Sequence, residues 1–75
     1  MQIPVIKKIT EAYSLEELQK AEMDLYEEQV PEIKIEGKDE GEQLTHVLAA
    51  IFILEHMAEN GVDLKTALRE YTLKV

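Results

Sequence analysis

The chain has no cysteine and no tryptophan, and only one phenylalanine, Phe52, and one serine, Ser14, in 75 residues. Without cysteine there can be no disulfide, no thiolate metal site and no cysteine nucleophile. The lone serine stands where a helix cap is needed, so nothing further is required to explain it. A single phenylalanine and no tryptophan leave no stacking platform for bases or sugars. Three glycines are too few and too scattered for a phosphate-binding loop. The longest apolar run, residues 47–54, is eight residues long, against the roughly 20 that span a bilayer. The opening MQIPVIKKIT has no long apolar core and no small-residue cleavage site, so no secretory leader is expected.

Positive charge is also scarce. Eight Lys and Arg stand against sixteen Asp and Glu, a net charge of −8. Residues 11–42 carry twelve acids and three lysines. Such a surface repels phosphate, and Lys7 and Lys8 are too few to reverse this, so nucleic acid is not an expected partner. The acidity reads as a solvated helix face, and secondarily as a docking surface for a basic protein. A chain this short buries only about 60% of its unfolded surface. Domains of this size often recover stability from disulfides, metals or oligomerisation, and here the first is excluded. One cytoplasmic domain, residues 1–75, is the expectation.

The pattern that is present is helical. Pro4 suits a first helical turn, and PVIKKITEAY places Val5, Ile6, Ile9 and Tyr13 near one face, predicting a helix over 4–12. In SLEE, Ser14 and Glu17 form a capping box that opens a second helix, 15–29. Its apolar stripe is Leu15, Leu18, Ala21 and Leu25, and Glu16 to Lys20 is a favourable i,i+4 pair. Pro31 then stops the helix. EIKIE alternates, with Ile33 and Ile35 on one side, which predicts a short extended segment near 32–36. It has no second strand in the chain, so it is either a linker or pairs with itself across a dimer axis. A third helix runs over about 40–59 and ends at Asn60-Gly61; Asp63 caps a fourth, 64–74. The fold class is therefore all-α, a compact four-helix domain with a long central third helix.

That third helix poses a problem. Its centre, VLAAIFIL, is apolar on every side. One seam holds Leu44, Val47, Leu48, Ile51, Leu54 and Ala58. A second holds His46, Ala49, Ala50, Ile53, His56, Met57 and Asn60. A helix apolar all round must be buried all round. The small centre and polar ends of the second seam suit an isologous contact with a second copy. The expectation is a homodimer built on those seven residues, with a two-fold axis near Ile51 that sets His46 near the partner's His56.

His46 and His56 are also the only side chains that ordinarily titrate near neutral pH. Glu42 lies four residues before His46, and Glu59 three after His56. These four residues are candidate ligands for a divalent metal shared across the dimer. No His-Glu-x-x-His motif accompanies them, and Gln43 stands where a Glu-x-x-His pair would need its acid.

The stretches IPVIKK, EGEQLTHVLAAIFILEHM and NGVDLKTALREY resemble a group of short, uncharacterised bacterial proteins of unknown function. The resemblance implies a compact helical protein of the cytoplasm and brings no catalytic residues with it. The residues point to a non-enzymatic homodimeric interaction or accessory protein, with the second helix and residues 26–36 turned toward a partner. The alternative is a dimeric metal-binding protein or small metalloenzyme using His46 and His56.

Overall fold

Three of the four helices begin at a side chain that stands in for a missing backbone acceptor. The computed structural model describes residues 2–74, with α1 at Ile3–Ala12, α2 at Leu15–Tyr26, α3 at Glu40–Asn60 and α4 at Leu64–Lys74. Ser14 Oγ accepts the Glu17 N–H at 3.2 Å, and Glu17 Oε1 accepts the Ser14 N–H at 2.9 Å, completing the expected capping box. Asp39 caps α3 through the Glu42 N–H, and Asp63 caps α4 through the Thr66 N–H, each at 2.8 Å. Only α1 lacks a side-chain cap; it starts with Pro4 in its first turn.

The helix ends are equally specific. Gly61 takes φ 63° after α3, and its N–H bonds to the Met57 carbonyl. The second helix ends at Tyr26, three residues short of the expected Gln29. The cause lies upstream of Pro31. Glu28 adopts φ 59°, its N–H returns to the Leu25 carbonyl, and the Gln29 N–H returns to the Asp24 carbonyl. This pair of bonds is a Schellman closure, usually built on glycine and here built on glutamate.

α3 is the central element and packs against α1, α2 and α4. On one side Val47, Ala50 and Ile51 join Leu18, Ala21 and Leu25 of α2, Ile9 of α1 and Ile35 of the α2–α3 connection. On the other, Ala49 and Ile53 join Ile6 of α1 and Ala67 of α4, with Met57, Leu64, Leu68 and Tyr71 at the margin. Burying each large apolar side chain of this kind contributes about 1.5–3 kcal/mol. Among the described residues no helix is long and apolar enough to cross a membrane, and there is no strand or ladder.

This arrangement corrects the seam assignments. Ala49 and Ile53 are covered by α1 and α4 of the same chain, and Ala50 by α2, so no second copy is needed to bury them. Leu48 and Ala58, placed by their spacing on the first seam, lie on the outside. The two covered sides leave a third, narrow stripe at the surface, with Leu48 39% and Phe52 41% exposed.

Candidate functional site

His46 is fully buried, and both ring nitrogens are in use. The Gln2 N–H donates to Nε2 at 3.1 Å, which places the ring proton on Nδ1. Nδ1 in turn donates to the Glu36 carbonyl at 2.7 Å. The imidazole therefore pins the start of α1 and the α2–α3 connection to α3. With both nitrogens committed to backbone, it has no lone pair left for a metal. Glu42, expected beside it, instead accepts the Lys38 N–H at 3.0 Å.

His56 sits ten residues on, at a different junction. Asn60 Nδ2 donates to His56 Nδ1 and to the His56 carbonyl, each at 3.0 Å. Its Nε2 then carries the proton and lies 3.3 Å from Glu70 Oε1 of α4, without the alignment of a hydrogen bond. The ring lies parallel to Phe52, with centroids 6.0 Å apart, and Tyr71 tilts against the same Phe52 at 5.5 Å. Glu70, supplied by the α3–α4 packing, takes the place expected of Glu59. His46 and His56 are not brought together. Among the described residues no group of three or more His, Asp or Glu side chains is placed to hold a metal ion.

Of the seven residues expected at a dimer seam, His46, Ala49, Ala50 and Ile53 are buried within the chain, His56 and Met57 are partly buried, and Asn60 is exposed. Besides Leu48 and Phe52 on α3 and Leu73 on α4, the apolar side chains open to solvent gather on and just after α2. Met23 and Tyr26, three residues apart on the outside of α2, are 65% and 63% exposed, and Val30 just beyond the helix is 91% exposed. Glu22, Glu27 and Glu28 are their neighbours in the chain. Tyr26 lies beside the buried stripe of Leu18, Ala21 and Leu25, on the outside of the helix.

Beyond the Schellman closure, the α2–α3 connection is held by side chains. Lys20 donates to Glu32 at 3.0 Å, replacing the expected Glu16–Lys20 pair. That bond and the negative charge of Glu32 raise the Lys20 ammonium above its ordinary 10.5. Lys8 lies 3.7 Å from Glu36, and the Tyr13 hydroxyl makes a long 3.5 Å bond to the Lys34 carbonyl. Among the described residues, no backbone–backbone hydrogen bond forms anywhere in residues 30–38.

The chain belongs to a family of unknown function, DUF6952, whose model matches residues 1–75. No curated protein and no solved structure matches it.

Proposed function

We propose that this is a non-enzymatic interaction or accessory protein that presents the outer side of α2 and the residues just after it to a basic partner, and that it works as a homodimer. The observation that carries the reading is the trio Met23, Tyr26 and Val30, left open to solvent among acidic neighbours while smaller apolar residues of the chain are buried. An apolar strip flanked by carboxylates suits an amphipathic helix with a basic margin: the strip supplies burial, and the acids supply steering and register. Self-association at the α3 seam would require α1 and α4 to leave it and expose Ile6, Ala49 and Ile53. A dimer of the folded chain therefore uses another surface.

The test is titration of the labelled protein with a synthetic amphipathic helix of leucine and lysine, followed by NMR. Amide shifts centred on residues 23–30, weakened by salt and lost in Met23→Lys and Tyr26→Lys, are expected. No shift, or shifts confined to other surfaces, would overturn the reading.

A second reading, a divalent-metal protein, has one observation in its favour: the facing pair His56 and Glu70. Thermal melting with Zn²⁺ and with a chelator separates the two. A midpoint raised by the metal in the natural chain but not in His56→Ala favours the metal reading.

A further inference from the structure

The connection between α2 and α3 carries an unused hydrogen-bonding edge. Along it exposure alternates: Glu32, Lys34 and Glu36 are exposed, while Ile33 is half-buried and Ile35 buried. An extended backbone produces this alternation. The backbone bends at 32–33 and 38–39, so the straight stretch is short. The carbonyls of Lys34 and Glu36 are taken by Tyr13 and His46. In an extended chain, alternate residues direct both N–H and C=O to the same edge. With 34 and 36 turned toward the body of the chain, residues 33, 35 and 37 turn their backbone groups away from it. A groove of about 420 Å³ runs beside the segment, lined by Val30, Pro31, Ile33, Ile35 and Gln43 among others.

We infer that this edge pairs antiparallel with the same segment of a second copy, centred on Ile35. The pattern of charges selects that register, and the open backbone groups are compatible with it. Centring on Ile35 makes Ile35 face the partner's Ile35 and Ile33 face the partner's Gly37 as hydrogen-bonded pairs, through the backbone groups that are open. It sets Lys34 against the partner's Glu36 within the straight stretch, and leaves Glu32 and Lys38, of opposite sign, at its two bent ends. Lys34 and Glu36 then form non-hydrogen-bonded pairs, where side chains stand closest.

The neighbouring registers fail on charge or on Pro31. Centring on Lys34 opposes Lys34 to itself and Glu32 to Glu36, and brings Pro31 into the ladder opposite Gly37. Centring on Ile33 brings Pro31 into the ladder opposite Ile35, where it has no N–H to give. The existing Lys20–Glu32 and Lys8–Glu36 pairs are exposed and exchange at little cost. The pairing deepens the homodimer part of the proposed function by naming its surface, and it is independent of what α2 binds.

The experiment is a charge swap in the full chain, read by sedimentation equilibrium over a concentration series. Lys34→Glu and Glu36→Lys are each expected to weaken the dimer about tenfold, since each places like charges opposite one another twice per dimer. The double variant Lys34→Glu/Glu36→Lys is expected to restore the natural affinity to within about threefold, which only a 34-to-36 pairing can do. Both side chains are exposed, and helical circular dichroism checks that each variant folds. A natural chain that stays monomeric to millimolar concentration, a dimer indifferent to the single swaps, or a double variant no better than the singles would each overturn the inference. The peptide titration at α2 stands or falls separately.

Discussion

The ring of His46 holds the carbonyl of Glu36 at 2.7 Å from inside the core. This one bond, with its counterpart from the Gln2 N–H to the other ring nitrogen, fastens two segments that have few other anchors. Replacing His46 by alanine leaves the Glu36 carbonyl and the Gln2 N–H without partners and opens a cavity. The expected loss is about 2–4 kcal/mol in urea unfolding, a large part of the stability of a domain this small. His46→Leu fills the volume but restores neither bond, so it should also be destabilised. A loss below about 0.5 kcal/mol in both variants would show that the latch does not matter.

Glu28 occupies a left-handed conformation at φ 59° that a side chain resists. Glu28→Gly relieves it and should raise stability by about 0.5–1 kcal/mol, read as a higher urea midpoint at unchanged slope.

Gly37 and Gly41 should respond to alanine in opposite ways. A Cβ on Gly37 would come within 2.8 Å of the Gln43 backbone nitrogen, which cannot move without disturbing the start of α3. A Cβ on Gly41 meets only Asp39 Oδ1, at 3.4 Å, within a helical turn where alanine is preferred. Thermal melting should show Gly37→Ala lowered by several degrees, and Gly41→Ala unchanged or raised.

The Asp63 cap gives a pH dependence with a definite sign. Hydrogen bonds from Thr66, side chain first and backbone second, hold the Asp63 carboxyl below its ordinary 3.8. A carboxyl depressed in the folded state contributes stability above its unfolded pKa and loses it as pH falls through the folded one. The stability gap between the natural chain and Asp63→Ala should therefore be full at pH 6 and narrow below pH 3.8. A gap constant down to pH 2.5 would show that the charge contributes nothing.

Much of the local structure was legible in the residue order, because it depends on groups a few positions apart. Ser14 with Glu17, Asp63 before α4, Gly61 after α3 and Pro4 in α1 are all where their spacing put them. The family assignment, too, agrees with the resemblance seen in the unaligned residues. The Schellman closure at Glu28 was not legible, because nothing marks a glutamate for a left-handed turn.

The candidate sites were legible only as residue types. The sequence places His46 and His56 on one helix, ten positions apart, but it does not show that Gln2 and Glu36 reach one and Glu70 the other. Likewise it establishes that α3 is apolar all round without showing what covers it. Helix positions, caps and the all-round apolar centre of α3 follow from short-range backbone geometry and hydrophobic spacing, which the sequence carries directly. Which neighbour covers which side of α3, and so which apolar residues stay exposed, depends on how four helices share too little surface. That competition is between segments distant in the chain, and only their packing resolves it. It buries Ala49 and Ile53 beneath α1 and α4 and leaves Met23, Tyr26 and Val30 outside.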